Sequence, residues 1–516
     1  MTARRKTTMT LQVNEVTKIR RKVMTETARL HWNGNLIKEI DQLPERLTAE
    51  HEHRYRCCEF KEKAIYAERI KLAMGLSLAP EHAKKRLSTL ARHSLTHSHE
   101  KNRSQVEVID IACDGCPIDK YFITNACRNC LGHNCQQACR RGAITIVGNQ
   151  AYIDQSKCVE CGMCRKACKY GAILEVHRPC EAACPVNAVI ADQNRKAIID
   201  NEKCTDCGNC MVSCPFGAIS DHSQLLKIID WLKGEEQTVA MVAPAIIGQM
   251  GQKEKLGPLF QALKQLGFDR VEEVSFGADL VALGESEEFA NRVPVKDPYM
   301  LSSCCPAFVK FVKIHRPGQA EYVSTMVSPM VAMAKTLRED LPLAKIVFIG
   351  PCVAKKREAM ESKVVDGVLT FEELAALFVA ADINLATMEE AQEEASKASK
   401  DGQGFAAAGG VRAAMVNGIK RFADADFRGG SAQGLEECLA QLKLLEKSEA
   451  SFNFLEGMAC SGGCLGGPGA LVDNRQTKRF LDVRGSQLEC QNSGDNRLAI
   501  EKLKDLGHSL HKSSKK

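Results

Sequence analysis

Sixteen of the 25 cysteines lie between Cys113 and Cys214, at spacings that can bind metal clusters. Two runs share the pattern Cys-x2-Cys-x2-Cys-x3-Cys: Cys158, Cys161, Cys164 and Cys168, and Cys204, Cys207, Cys210 and Cys214. In ferredoxins of this type, three thiolates hold one 4Fe-4S cluster and the fourth holds its neighbour. Zinc is the alternative, but zinc motifs rarely place three cysteines at this spacing and then repeat them.

Each run needs a second motif with which to exchange its fourth ligand. The run at Cys127 pairs naturally with the run at Cys158, whereas the run at Cys204 follows only a half-motif, Cys180-x3-Cys184. Cys113-x2-Cys116 can supply the missing pair from upstream. The predicted ligand sets are Cys127, Cys130, Cys135 and Cys168; Cys139, Cys158, Cys161 and Cys164; Cys184, Cys204, Cys207 and Cys210; and Cys113, Cys116, Cys180 and Cys214.

The fourth set has an alternative. Placing a cluster on it uses all sixteen cysteines, but two of the four ligands are distant in sequence from the others. In the alternative, the four cysteines of this set are partial ligands or free thiols. The region is also an internal repeat, because three units end in Gly-Ala-Ile after the last cysteine and a fourth ends in Asn-Ala-Val. The steps are Gly142-Ala143-Ile144, Gly171-Ala172-Ile173, Gly217-Ala218-Ile219 and Asn187-Ala188-Val189.

Composition places these motifs in a large multidomain protein. The chain has 516 residues, 44% hydrophobic and 26% charged, with a net charge of +6, and the first 100 residues alone carry +8. A solvated helical face is the favoured interpretation of that basic region, over contact with nucleic acid or anionic lipid. Neither a membrane-spanning stretch nor a secretory signal is evident, so the cytoplasm is the expected location, where crowded cysteines indicate metal ligation rather than disulfides.

The pattern along the chain predicts a multidomain α/β protein. A basic helical region (1–105) precedes ferredoxin-like α+β repeats (106–220), then a domain of two α/β lobes with parallel sheets (221–500) and a basic tail (501–516). Residues 388–403 carry few large apolar side chains and are predicted to be an exposed insertion. Strands are predicted at 238–243 and 345–349, and helices at 258–266, 371–381 and 435–445.

Three downstream motifs contain five more cysteines. They are Ser302-Ser303-Cys304-Cys305-Pro306, the segment from Gly350 to Glu358 around Cys352, and the glycine-rich segment from Gly457 to Pro468 with Cys460 and Cys464. Four thiolates from separate loops suffice for one more 4Fe-4S cluster, and the glycines allow close backbone approach. The fifth cysteine is then free to do chemistry.

These three motifs, in this order and behind a ferredoxin-like region, resemble the iron-iron (FeFe) hydrogenases over roughly residues 106–490. The resemblance implies an H-cluster: a 4Fe-4S cubane on Cys305, Cys352, Cys460 and Cys464, with Cys464 bridging to a two-iron subsite that carries CO, cyanide and a dithiolate amine. It also implies hydrogenase maturation proteins as partners.

The resemblance also assigns roles around the two-iron subsite. Cys304 would pass protons to and from the bridging amine, and Glu285, Glu288, Ser324 and Glu358 match relay positions that carry exchangeable protons. Lys355 matches a lysine that pairs with a cyanide ligand. Met458, Pro244 and Ala245 match residues packed near the two-iron site.

Several positions depart from the family pattern. Ala245 stands where many relatives have serine, Gly350 where they have methionine, Phe308 where they have tryptophan and Ser302 where they have threonine. The glycine-rich tail after Cys464 is also shorter than usual. Since Ala245 and Gly350 remove contacts around the two-iron site, redox potential, catalytic bias and oxygen sensitivity are expected to differ from those of well-known members.

The resulting hypothesis is a ferredoxin-linked hydrogenase that interconverts dihydrogen with protons and electrons. Protons would leave through Cys304 and Glu285, and electrons through the cluster chain. Two alternatives stay open: a sensory hydrogenase of low turnover, and a non-enzymatic iron-sulfur electron-transfer or assembly protein without the two-iron subsite. No kinase-like or PAS-like segment favours the sensor, and Cys304, Lys355 and Cys464 together disfavour the plain carrier.

Overall fold

The computed structural model describes residues 13–50, 55–96, 104–253, 255–388, 396–422 and 425–512. The first two of these ranges form a helical region, in which the Asn14 side chain caps the first helix. Within the described residues this region contains no strand. Its helices are α1 (Glu15–Trp32), α2 (Leu36–Glu39), α3 (Leu43–Ala49), α4 (Glu59–Ala73) and α5 (Leu87–Thr96).

The cysteine-rich region is built from short strands that pair antiparallel around small helices. Its strands are β1 (Val106–Val108), β2 (Tyr121–Ile123), β3 (Ile144–Val147), β4 (Gln150–Ile153), β5 (Ile173–Glu175), β6 (Val189–Ala191), β7 (Ala197–Ile199) and β8 (Ile219–Asp221). Its helices are α6 (Asn134–Gln137), α7 (Met163–Ala167), α8 (Pro179–Ala182) and α9 (Asn209–Ser213).

The strand pairing divides this region into two modules, one nested inside the other. We name residues 120–176 the outer module: β2 pairs with β5 and encloses the hairpin β3–β4. Residues 104–116 with 178–222 form the inner module, in which β1 pairs with β8 and encloses the hairpin β6–β7. The outer module is therefore an insertion into the inner one, which explains why Cys116 and Cys180 are far apart in sequence.

The C-terminal region begins near residue 224 and contains two parallel sheets. One has the strand order β10-β9-β12-β13 and the other β11-β15-β14. The strands are β9 (Thr238–Val242), β10 (Arg270–Glu273), β11 (Met300–Leu301), β12 (Lys345–Ile349), β13 (Gly367–Leu369), β14 (Gly429–Gln433) and β15 (Phe454–Met458). Strand β9 is buried along its whole length, as parallel strands covered on both faces are. The predicted mixed α/β fold with parallel sheets is confirmed.

Helices cover these two sheets. They are α10 (Leu225–Lys233), α11 (Gly257–Leu266), α12 (Ser275–Arg292), α13 (Pro306–His315), α14 (Pro329–Asp340), α15 (Ala354–Ser362), α16 (Phe371–Ala380), α17 (Lys400–Gly404), α18 (Gly410–Ile419), α19 (Leu435–Glu446), α20 (Asn474–Gln487) and α21 (Arg497–Leu506). Among the helices that the structure describes, none combines the length and apolar character needed to cross a bilayer.

Two sequence predictions about this region are wrong in part. Residues 398–403 are not exposed throughout: Lys400 is exposed, but Ser399 and Gln403 are buried and hydrogen-bond Asp279 and Ser275 respectively. Polar side chains satisfied by one another can be buried without large apolar neighbours, which composition alone does not reveal. Residues 389–395 of the same predicted insertion lie outside the described residues. The boundary at residue 500 falls inside α21, which packs against α12; residues 513–516 of the predicted tail are also outside the described part.

The N-terminal helices lie against both later regions. Arg20 and Arg21 on α1 pair with Glu372 on α16 at 2.7 and 3.1 Å. Arg56 donates to the carbonyls of Ala112 and Phe216, which neighbour cysteines of the inner module. Some basic side chains of this region therefore form ion pairs and hydrogen bonds with other parts of the chain.

Candidate metal centre and proton row

The glycine or asparagine after each cysteine run has the same backbone conformation in all four repeats. Gly142, Gly171, Gly217 and Asn187 have φ between 51° and 61°. This turn points the next N–H back at the last cysteine, so that the alanine N–H donates to its sulfur at 3.3–3.4 Å in all four units. Glycine adopts such a φ without strain and asparagine does so more readily than most other residues, which explains the degenerate copy. N–H donors to sulfur stabilise an iron-sulfur thiolate.

The two complete runs also wrap their loops in the same way. Glu160 and Asp206, before the second cysteine, have φ of 54° and 59°, and Gly162 and Gly208, after it, have 72° and 79°. Left-handed residues at matched places turn each loop tightly enough for three sulfurs to face one point. The repeat seen in the sequence is therefore a repeat of backbone geometry.

The structure brings most members of the predicted ligand sets together. Cys207 and Cys210 lie within electrostatic range of Cys204 and Cys184, and Cys116 lies within range of Cys113 and Cys214, with Cys214 also beside Cys180. In the outer module, Cys135 lies beside Cys127 and Cys168, and Cys164 beside Cys139 and Cys158. The inner module thus unites all four members of the open fourth set, despite their separation in sequence.

These cysteines fit clusters by their chemistry as well as their position. All 25 cysteines are free of disulfides. Burial raises the pKa of Cys180 and Cys207 to about 11, so a bare thiolate there would be costly, a cost that iron ligation removes. Within the described ranges, no three His, Cys, Asp or Glu side chains are close enough to share a single metal ion.

The C-terminal motifs follow the carboxyl ends of four parallel strands. Strand β9 leads to Pro244, β11 to Cys304 and Cys305, β12 to Cys352, and β15 to Met458 and Cys460. Loops at the carboxyl ends of parallel strands meet at one edge of a sheet, where α/β folds place their ligands. Gly463, with φ +72°, presses against the backbone of residues 406–408 and so holds the Cys460–Cys464 loop in place.

The four predicted cubane cysteines converge at this edge. Cys460 lies within electrostatic range of Cys352, Cys305 and Cys464, and Cys464 lies within range of Cys305. Burial raises the pKa of Cys352 and of Cys464 to about 12 and that of Cys460 well above its usual range. Four sulfurs drawn from three loops fit a 4Fe-4S cluster, which takes thiolate ligands.

A cavity of about 70 Å³ lies directly beside these cysteines. Every residue predicted to surround the two-iron subsite lines it: Pro244, Ala245, Cys304, Lys355 and Met458, together with the ligand cysteines Cys352 and Cys464. Phe348 also lines it, and a Cβ added at Gly350 would lie 2.5 Å from the Phe348 ring. The phenylalanine therefore occupies space that a methionine at position 350 would need.

Lys355 is held at one side of the cavity. Its ammonium donates to Glu358 at 2.6 Å, to the Ser328 hydroxyl at 2.9 Å and to the Cys304 carbonyl at 3.4 Å. Burial alone would lower its pKa, but Glu358 and the sulfurs of Cys352 and Cys464 outweigh burial, and the pKa of Lys355 is raised. The structure thus supplies a fixed cation beside the cavity, and Glu358 is the ion-pair partner of that cation.

A row of polar side chains leaves the cavity on another side. Glu285 is fully buried and accepts hydrogen bonds from the Ser303 N–H at 2.9 Å and the Ser303 hydroxyl at 2.8 Å, while its other oxygen has no partner in the described structure. Ser324 lies near Glu285, and its hydroxyl donates to Glu288 at 2.7 Å. Arg292 closes the row with a 2.5 Å ion pair to Glu288.

Burial raises the pKa of the two titratable groups nearest the cavity. It raises the pKa of Glu285 to about 7, against the opposing effect of the Ser303 hydrogen bonds. Burial, with the nearby Glu285 charge, raises the pKa of the Cys304 thiol well above its usual range. A carboxyl that titrates near neutrality can both accept and release protons, so the row has the chemistry of a proton relay.

Sequence reasoning missed several residues of this site. Ser303, Ser328 and Arg292 position the predicted side chains, and Arg292 was detectable as the residue one helical turn after Glu288. Glu456 was not: it is fully buried on β15 and accepts from the N–H groups of Gly409 and Arg412 at the start of α18, at 2.8 and 2.9 Å. It has no sequence signal beyond its proximity to Met458.

Comparisons with known proteins agree with this geometry. Residues 236–468 match the C-terminal domain of the iron-only hydrogenase large subunit. Residues 151–174 match a 4Fe-4S binding domain, and residues 174–225 match the LdpA Fe-S cluster-binding domain. The chain is 28% identical to iron hydrogenase 1 of Clostridium pasteurianum over 385 residues, which cover 64% of this chain and 67% of that one.

A second relative is the NADP-reducing hydrogenase subunit HndD of Solidesulfovibrio fructosivorans. It is 30% identical over 309 residues, which cover 48% of this chain and about half (52%) of the relative. Among solved structures, apo FeFe-hydrogenase HydA1 from Chlamydomonas reinhardtii aligns with a TM-score of 0.47 at 22% identity, over 56% of this chain and 98% of that one. Over residues 236–468 the chain is therefore FeFe-hydrogenase-like, and its cofactors are 4Fe-4S clusters and an H-cluster.

Proposed function

We propose that this protein is a hydrogenase that reversibly oxidises dihydrogen, exchanging electrons with a ferredoxin-type carrier. The observation that carries the proposal is the cavity lined by Cys304, Lys355 and two of the cubane cysteines, Cys352 and Cys464. A plain electron carrier needs neither a spare thiol nor a fixed ammonium at that place. When bound, the H-cluster supplies the heterolytic cleavage and formation of dihydrogen.

The chain's own residues supply a dry site, a cation and a proton path. Cys304 holds the proton nearest the cavity, and Glu285, with a pKa of about 7, exchanges it at neutral pH. Ser324 and Glu288 continue the row to Arg292. The Lys355 ammonium is placed to donate to an anionic ligand of the two-iron subsite.

The positions of the cysteine sets also indicate a path for electrons between the catalytic region and the inner module. Cys460 of the cubane set lies within range of Cys207, and Cys210 lies within range of Cys180 of the fourth set. The Gly208 backbone lies so close to Pro468 that a Cβ there would be 2.8 Å from the ring. The inner module is thus packed directly on the catalytic region, as electron transfer between neighbouring clusters requires.

The outer module is the proposed docking site of the carrier. Its ligands Cys130 and Cys161 are exposed, and so are Leu131 and Val159 beside the cysteines. Between residues 120 and 176 there are eight lysines and arginines against three acidic residues. Apolar contacts around an exposed cluster, with a basic surround, suit an acidic ferredoxin.

Substitution of Cys304 tests the catalytic proposal. Cys304→Ala should leave iron content near that of the wild type and lower dihydrogen evolution at least about 100-fold, because the first proton acceptor is lost. Cys490→Ala, at a half-buried thiol away from the cavity, is the matched control and should retain activity. Wild-type turnover in the Cys304 variant would refute the relay, and no turnover in fully matured wild-type protein would refute the hydrogenase.

A further inference from the structure

A second, larger cavity lies on the other side of the proton machinery. Its volume is about 520 Å³, and its walls come from helices α13, α14 and α15, the cluster-binding loop at Thr205 and Asp206, and the end of the described chain at His511 and Lys512. Ser303 and Ser328 form part of its lining. The proposed hydrogenase activity gives this cavity no role.

Its lining carries an excess of positive charge. Of the five lysines and arginines, Lys310 and Arg357 share Asp206 as an ion-pair partner, each at 2.7 Å. Within the described ranges of the chain, the remaining three, Lys313, Lys335 and Lys512, form no ion pair with a carboxylate. The acidic Glu358 in the same wall is already paired with Lys355, and Glu361 is exposed at the rim.

Two of these three ammonium groups carry a desolvation penalty. Burial lowers the pKa of Lys335, whose ammonium donates to the Ser509 carbonyl. Burial also lowers the pKa of Lys512; Glu358 opposes this, and the nearby charges of Lys313 and Lys355 add to it. A desolvated cation is costly unless a counter-charge lies beside it.

Neutral donors around the cavity define the shape of that counter-charge. Thr205, Ser303, Ser328 and Ser362 line the same space as the three lysines. The Ser303 and Ser362 hydroxyls donate to Glu285 and to the Ala359 carbonyl, whereas the Thr205 and Ser328 hydroxyls donate to no acceptor in the described structure. Ammonium and hydroxyl donors arranged around one volume suit a multivalent oxyanion, since each of its oxygens accepts several hydrogen bonds. A spherical monovalent anion would offset less charge and use fewer donors.

We propose that this cavity binds a phosphate group, either as inorganic phosphate or as part of a small phosphorylated metabolite. The volume exceeds that of a single phosphate ion and lies in the range of small-molecule sites. The site adjoins the proton machinery, because Ser303 donates to Glu285 and Ser328 accepts from Lys355.

Calorimetric titration of the full-length, cluster-loaded protein tests the proposal. Inorganic phosphate, pyrophosphate and AMP would each be added under anaerobic conditions in chloride buffer. We expect saturable binding of at least one, weakened at least about tenfold in Lys335→Gln/Lys512→Gln. Stronger binding of inorganic phosphate than of AMP identifies the free ion as the ligand, and the reverse order identifies a phosphorylated metabolite.

Two further variants guard against trivial outcomes. Lys335→Arg/Lys512→Arg keeps both charges and should retain binding, so a loss confined to the glutamine variant is a loss of charge and not of folding. Lys264→Gln removes an exposed lysine on α11, away from the cavity, and should bind as the wild type does. Absence of saturable binding for all three probes, or equal affinity in the wild type and the double glutamine variant, would overturn the proposal.

Discussion

The two ferredoxin-like modules share one backbone plan and differ in their surroundings. The inner module shares an apolar core with the catalytic region, in which Met211 and Ala218 cluster with Phe308 and Leu455. The outer module has a small core of its own, formed by residues such as Tyr121, Ile144 and Ile173. The same cluster-binding loop is therefore buried in one module and exposed in the other.

This difference separates two tasks that one repeat performs. The N-terminal helices close over the inner module, where Arg56 and Arg69 donate to backbone carbonyls beside its cysteines. The outer module, inserted between Cys116 and Cys180, leaves Cys130 and Cys161 accessible. Burial suits a module that must hold a fixed position against the catalytic site, and exposure suits one that must meet a partner.

The largest expected effect comes from removing one cluster ligand from each module. Cys207→Ser breaks the inner set that lies beside Cys460, and we expect dihydrogen oxidation with a small dye to fall by about two orders of magnitude. Cys161→Ser is the matched outer variant; with the dye it should keep most of its activity and lose it only with ferredoxin. Equal losses with the dye would contradict the division of tasks.

A smaller effect, on stability, is expected from substituting the acidic residue that precedes the second cysteine of each run. Asp206 is 1% exposed and pairs with Lys310 and Arg357, whereas its counterpart Glu160 is exposed. Asp206→Asn should destabilise the protein by about 2–3 kcal/mol, because it leaves two cations without their counter-charge. Glu160→Gln should change stability by less than about 0.5 kcal/mol. Thermal unfolding of both variants measures the difference.

The ion pairs of Asp206 also predict that the stability of the protein depends on pH. Although burial opposes it, Lys310 and Arg357 hold the pKa of Asp206 below its ordinary value. Its stabilising contribution is therefore complete at neutral pH and is lost as the pH falls through that lowered pKa. The gap in unfolding temperature between the wild type and Asp206→Asn should close in acid, and a constant gap would show that the charge is not its cause.

The smallest effect is expected at the glycines that follow the second cysteine. Both have positive φ, so alanine costs about 1–2 kcal/mol at either position. In Gly208→Ala the new Cβ also meets the Pro468 ring of the C-terminal region at 2.8 Å, while in Gly162→Ala it meets the Tyr121 hydroxyl within the outer module at 2.6 Å. Only Gly208→Ala should slow dye-linked oxidation. Equal rates in the two variants would show that the inner loop tolerates displacement.

Much of this arrangement follows from the sequence, because cysteine spacing constrains loop geometry directly. The pairing of Cys113 and Cys116 with Cys180 and Cys214 was predicted from ligand arithmetic, and the structure brings those sulfurs together. The reason, a whole module inserted into another, was not predicted, because it depends on strands of three residues whose partners lie about 50 residues or more away.

Other features could not be predicted because they arise from packing between distant segments. Phe348 enters the space beside Gly350, Glu456 holds the start of α18, and Ser303 orients Glu285. The burial of Ser399 likewise depends on Asp279, which is 120 residues earlier in the chain. None of these residues has a distinctive spacing, so only the folded chain shows what each one contacts.

Infrared spectroscopy of the fully matured, cluster-loaded protein under dihydrogen can detect the two-iron subsite itself. We expect absorption bands of metal-bound CO and cyanide that shift when the gas is exchanged for argon, in protein that contains about 22 irons, from four front clusters and a six-iron centre. A full iron content with no such bands would show that the cysteines converge on a plain cubane and that the protein has no H-cluster.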